Sequence, residues 1–127
     1  MTCGKEITDG CITAFIDSSY NSNLAYRPEF VYNDTKKGRK VLSSIEKELS
    51  SCEEFFFSVA FITEGGIQPL LGVLKELEKK KIPGKILTTD YQFFTQPRAI
   101  ERLAALKNIE LRMYRTGPEG KGFHTKG

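Results

Sequence analysis

From residue 39 onward the apolar positions alternate between two periods, one helical and one strand-like. Val41, Leu42, Ile45 and Leu49 recur at helical spacing and predict a helix over residues 39–51. Residues 55–62, Phe-Phe-Phe-Ser-Val-Ala-Phe-Ile, form a short, almost wholly apolar run rich in aromatic and β-branched side chains. Such a run predicts a strand buried on both faces, in the interior of a sheet. Thr63-Glu64-Gly65-Gly66 turns the chain, and Ile67, Leu70, Leu71, Leu74 and Leu77 make a second helical stripe that runs into Lys79-Lys80-Lys81. Pro69 falls in the first turn, where a missing N–H is harmless, and the lysines suit the negative end of the helix dipole. Pro83-Gly84 breaks that helix, and residues 85–90 predict the next strand. Pro97 opens another helix with Ile100, Leu103, Ala104 and Leu106 inward, and Asn108 ends it. Ile109–Tyr114 alternates with period two, as a half-buried strand does. A loop over residues 116–122 leads to Phe123-His124-Thr125-Lys126-Gly127, which reads as the beginning of a further strand.

Strands joined by helices pair in parallel with right-handed crossovers. The pattern therefore predicts an α/β domain over residues 39–127, with a mostly parallel central sheet flanked by helices. Residues 1–38 show no comparable period. Residues 11–16 read as a short strand, and residues 18–34, rich in Ser, Asn and Tyr, read as an irregular arm. The chain carries no internal repeat and no low-complexity tract. Its last residues fall inside an expected strand, which reads as a domain cut short at its C-terminal side.

Composition narrows the class. The length of 127 residues suits one domain, and 39% hydrophobic residues suffice for a modest core. No apolar run approaches the roughly 20 residues of a membrane span, and the N-terminus lacks the apolar segment of a signal peptide. Cys3, Cys11 and Cys52 are scattered and odd in number, and with a single histidine they fit no zinc pattern. A reducing cytoplasm is the expected setting. The net charge of +3 is unevenly spread. Residues 64–127 hold twelve basic and seven acidic side chains, a balance that suits an anionic partner or simply solvated helix faces.

Few residues offer chemistry. His124 precedes Lys126 by two positions, so on a strand both project from the same face, roughly 7 Å apart. A neutral imidazole can attack phosphorus while an ammonium neutralises phosphate oxygens. The three-residue motif alone reads more readily as a surface histidine near a chain end. Thr63-Glu64-Gly65-Gly66 would expose N–H groups to an anion or form an ordinary tight turn. Thr88-Thr89-Asp90-Tyr91 ends a strand on the edge where open α/β sheets bind ligands, and Asp90 reads as catalytic or as a turn residue. The Gly-rich stretch 117–122 has the wrong spacing for a nucleotide P-loop. Lys79-Lys80-Lys81 reads as a solvated helix end. The sequence shows no paired-carboxylate site, no metal cluster and no serine-hydrolase elbow.

Several blocks, taken in order, resemble a known family. They are Tyr26-Arg27-Pro28-Glu29, Val41-Leu42-Ser43-Ser44-Ile45-Glu46, Ser58-Val59-Ala60-Phe61-Ile62-Thr63, Ile86-Leu87-Thr88-Thr89-Asp90-Tyr91 and Phe123-His124-Thr125-Lys126-Gly127. Together they resemble the first part of a phospholipase D-superfamily domain, of the type found at the N-terminus of prokaryotic DEAD/DEAH-box helicases. That family's signature is His-x-Lys-x4-Asp on a strand. The resemblance implies a phosphodiesterase, in the helicase-linked proteins a nuclease or related DNA-processing enzyme. His124 would be the nucleophile that forms a phosphohistidine, and Lys126 would bind phosphate oxygens. The family needs no metal or other cofactor for this step; ATP and Mg would belong to a helicase region elsewhere in the full-length chain. It builds one active site from two motifs, often by homodimerising, and its partner here would be DNA rather than a membrane.

This chain departs from the pattern in that the signature Asp would fall at position 131, beyond Gly127. As it stands it is therefore expected to be inactive. Two alternatives stay open: a non-catalytic DNA-binding or docking module of the same fold, and a small-ligand α/β domain that uses the Gly65-Gly66 loop.

Overall fold

The structure is a computed structural model that describes residues 2–118 and 122–123, and the chain divides into two compact units, residues 1–41 and 42–127. The first unit opens with a helix, α1 (Cys3–Phe15), where a short strand over residues 11–16 was expected. The apolar cluster at 11–16 is only the end of a longer stripe, because Gly10 and Thr13, three positions apart, are both buried on one helical face. Gly10 is required there by close approach: a Cβ on it would lie 2.1 Å from the carbonyl oxygen of Tyr26. Tyr26 belongs to a 3-10 turn, Leu24–Tyr26, whose entry is capped by Asn23, with Oδ1 accepting from the Ala25 N–H. The Thr13 hydroxyl lies 2.8 Å from the Tyr20 carbonyl oxygen and 2.6 Å from the Ser22 hydroxyl. Arg27 donates to both the hydroxyl and the carbonyl of Ser22. The arm is thus a helix with a hydrogen-bonded return, followed by an antiparallel bridge between Asp34 and Arg39.

The second unit is an α/β layer structure. A three-stranded parallel sheet runs in the order β1 (Phe55–Ser58), β2 (Gly84–Thr89), β3 (Ile109–Tyr114). The connecting segments carry helices α3 (Glu64–Ile67), α4 (Leu71–Lys79) and α5 (Pro97–Ala104), and α2 (Val41–Ser51) precedes the sheet. The fold is thus α/β, with a parallel sheet and flanking helices, as the hydrophobic pattern implies. The apolar stripes close the core: Leu74 and Leu77 of α4 and Leu103 of α5 are each only 1% exposed. Pro69 sits within a 3-10 turn, Gln68–Leu70, that links α3 to α4, and Pro97 opens α5. Gly84 allows another close approach, since a Cβ there would meet the Phe55 ring at 2.0 Å.

The strand expected over residues 55–62 ends at Ser58 and lies at the edge of the described sheet, not in its interior. Its side chains alternate: Phe55 is buried and Phe57 packs against the core, while Phe56 is 59% exposed. The outward Phe56 ring is not bare, because the ammonium of Lys85, its register partner on β2, lies 5.7 Å from the ring centroid. Beyond Ser58 the pairing turns irregular: the Val59 N–H donates to the Leu87 carbonyl, and the Ala60 carbonyl accepts both the N–H and the hydroxyl of Thr89. Among the described residues no helix is long and apolar enough to cross a membrane.

Candidate functional site

Parallel pairing brings the carboxyl ends of β1, β2 and β3 to one edge, the edge at which open α/β sheets place ligands. Three buried hydroxyls organise it. Thr89 Oγ1 donates to the Ala60 carbonyl at 2.7 Å and accepts from the Tyr91 N–H at 3.1 Å. Thr95 Oγ1 donates to the Thr89 carbonyl at 2.8 Å and accepts from the Ile62 N–H at 3.3 Å. Thr88 lies beside both, 3.4 Å from Thr95 Oγ1. Each threonine is at most 9% exposed, so these polar atoms are paired with protein rather than water, as burial demands. Threonine suits both duties, since its branched body fits a strand and its hydroxyl can donate and accept at once.

Asp90 follows directly. Its Oδ1 accepts from both the N–H and the hydroxyl of Thr116, each at 2.7 Å. These bonds hold the Asp90 carboxyl below the ordinary aspartate range, with Arg115 adding a smaller effect of the same sign. The Asp90 N–H donates to the Tyr114 carbonyl. Asp90 therefore ties the end of β2 to the segment leaving β3.

Between Asp90 and α5 lies a feature the sequence did not disclose. Gln92 and Phe93 both have positive φ, 48° and 56°, where non-glycine side chains are uncommon and a bulky one is strained. Such residues cost on the order of 1–3 kcal/mol each and persist only when their surroundings enforce them. Here the enforcement comes from both sides. The Thr89 hydroxyl holds the Tyr91 N–H, the Phe93 N–H donates to the Asp90 carbonyl, and buried Thr95 anchors the far end. The outcome is that Phe93 stands 91% exposed, with Phe94 half-exposed and packed edge-on against Phe61 at 5.4 Å between centroids. The one sequence signal for this is the density of aromatic residues in so short a connection, Tyr91-Gln92-Phe93-Phe94.

His124 and Lys126 lie outside the described residues. The residues just before them are described. Gly122 sits close to Tyr91 and Thr116, since a Cβ on it would come within 3.3 Å of a side-chain carbon of each. The Phe123 ring lies 6.1 Å from that of Tyr114, at the carboxyl end of β3.

At α3 the Thr63 hydroxyl caps the Gly66 N–H at 3.1 Å, and Gln96 Oε1 takes the Glu64 N–H at 2.7 Å. Those donors are engaged within the protein, and the Thr63-Glu64-Gly65-Gly66 turn is a capped helix start. Lys79-Lys80-Lys81 is exposed at the end of α4, with Lys79 bonded to Glu76 at 2.7 Å. Cys3, Cys11 and Cys52 are free thiols, and among the described residues no group of His, Cys, Asp and Glu is arranged to hold a metal ion. A hollow of about 570 Å³ lies between α2, β1 and the α3–α4 segment, lined by apolar side chains such as Ile45, Phe57, Val59 and Leu70. Its one polar side chain, Thr63, spends its hydroxyl on the α3 cap. Compared with known proteins, the chain matches no protein-family model and no curated protein.

Proposed function

We propose that this chain carries the first part of a phospholipase D-like phosphodiesterase domain that acts on DNA, within a cytoplasmic helicase- or restriction-type protein. The reading rests on the ordered sequence blocks that end in Phe123-His124-Thr125-Lys126-Gly127. The parallel α/β fold is compatible with it, and the approach to His124 through Gly122 and Phe123 runs beside the carboxyl edge of the sheet. His124 attacks phosphorus as a neutral imidazole, the P–O bond to the leaving strand breaks, and a second histidine protonates the departing oxygen. Water then hydrolyses the phosphohistidine, and Lys126 neutralises the phosphate oxygens throughout. The second histidine comes from another copy of the motif, in the same chain or across a homodimer.

The test is cleavage of labelled DNA by the protein as its gene encodes it, with and without chelator. Loss of a general acid–base or nucleophilic group costs at least about a hundredfold, so His124→Ala should fall by that much or more while keeping its fold. The wild-type rate should survive the chelator. DNA binding without cleavage in the wild type would point to the non-catalytic module instead. An unchanged rate in His124→Ala would overturn the assignment.

A further inference from the structure

We propose that residues 91–94 form a base-stacking platform for single-stranded DNA beside the carboxyl edge of the sheet. Phe93 is 91% exposed, and Phe94 and Tyr114 are each about half exposed. Phe94 packs edge-on against Phe61 at 5.4 Å between centroids, while Phe93 stands out from the surface, and exposed apolar surface of this kind can mark an interaction site. The backbone gives the stronger argument. A left-handed conformation at both Gln92 and Phe93 is held in place by hydrogen bonds to Thr89 and Asp90 on one side and by buried Thr95 on the other. The chain therefore keeps strain in order to present a ring to solvent, and it presents it on a rigid mount. Strain of this kind gathers at functional sites, and a fixed ring loses little freedom when a flat partner settles on it.

The charge nearby fits a polyanion. Arg115 follows Tyr114, Arg98 lies in the first turn of α5, and both are exposed. Among the acidic groups here, Asp90 is held by Thr116 and lies near Arg115, and Glu64 opens α3 with its N–H bonded to Gln96. Aromatic faces flanked by arginines are how proteins hold single strands, whose bases can unstack, whereas a duplex hides its base faces. DNA as the nucleic acid is taken from the phosphodiesterase reading, on which this inference rests. The preference for single strands comes from the platform itself.

The experiment measures binding at low salt of a labelled single-stranded oligonucleotide and of its duplex to the gene-encoded protein, with DNA cleavage followed separately. Single strands should bind more tightly than the duplex. Phe93→Ala should weaken single-strand binding about tenfold, given what one stacked base contributes. Duplex binding and melting temperature should stay unchanged, and Phe93→Trp should restore affinity. If the wild type cleaves DNA but Phe93→Ala binds single strands normally, the platform is wrong and the phosphodiesterase reading stands. If it binds single strands through Phe93 but cleaves nothing, the reverse holds. A change in oligomeric state caused by Phe93→Ala, with single-strand affinity intact, would make the ring a protein contact and overturn the proposal.

Discussion

At the scale of single residues, the edge of the sheet is governed by side chains whose polar atoms have no freedom left. Thr89 and Thr95 each donate one bond and accept another, and Asp90 spends one oxygen on both donors of Thr116. The Asp90 tether has a pH signature. Its carboxyl titrates lower in the folded chain than in the unfolded one, first because of the Thr116 N–H and then because of the Thr116 hydroxyl. The unfolded state then binds the proton more readily, so the stabilisation is fully present above the ordinary aspartate range. It is lost as pH falls below about 4. Asp90→Asn should be less stable than wild type to urea at pH 7, and that difference should shrink by pH 3. A constant difference across that range would separate the tether from ionisation. Thr88-Thr89-Asp90 left a turn role and a catalytic role for Asp90 both open, and the bonds to Thr116 came into view only in the structure. The positive φ at Gln92 and Phe93 was not legible, because neither residue type favours it; tertiary hydrogen bonds impose it.

At the scale of elements, legibility followed the length and regularity of each hydrophobic pattern. Ile109–Tyr114 was readable to the residue from its alternation, and the start of α5 from Pro97, but α5 ends at Ala104 rather than at Asn108, and Ala104, expected inward, is exposed while Ala99 is buried. The helix after Gly66 was visible as one stripe, yet it folds as α3, a 3-10 turn and α4, because Pro69 interrupts the backbone ladder without moving the buried positions. Two short apolar runs misled. Residues 11–16 look strand-like when taken alone, since a run of that length cannot separate a strand from the last turns of a helix. Residues 55–62 look buried throughout, but composition cannot show that regular pairing stops at Ser58 or that Phe56 faces outward at the sheet edge. Leu74 of α4, 1% exposed, is the place to test how much the helix layer holds the sheet. Leu74→Ala should cost about 2–5 kcal/mol, read as a lower urea midpoint with little change in slope. A loss below about 0.5 kcal/mol, the range of neutral surface changes, would mean that α4 is not packed as described.

At the scale of the whole molecule, the α/β class was legible because alternating helical and strand periods leave few topologies once crossovers are parallel. The candidate site was legible only as His124 and Lys126, a motif whose strength comes from its resemblance rather than its spacing. Charge is the other property of this scale. Residues 64–127 carry twelve basic against seven acidic side chains, an excess of five, while residues 1–63 carry the opposite sign. DNA binding should therefore belong to the second unit and weaken steeply with salt, since each phosphate contact releases condensed counterions. A titration of affinity from about 50 to 200 mM salt checks this, and a flat response would assign the binding to non-ionic contacts.

The strand order β1-β2-β3 has a consequence for biosynthesis. Each strand pairs with the one made just before it, so none has to wait for a partner encoded far downstream. Ribosomes emit about 5–20 residues per second, so α4 and β2 can dock onto β1 within seconds of leaving the exit tunnel. When β3 emerges, the growing edge it needs is already in place. Among the described strands the sheet can thus be laid down in one direction, with β1 alone waiting for its first partner, β2.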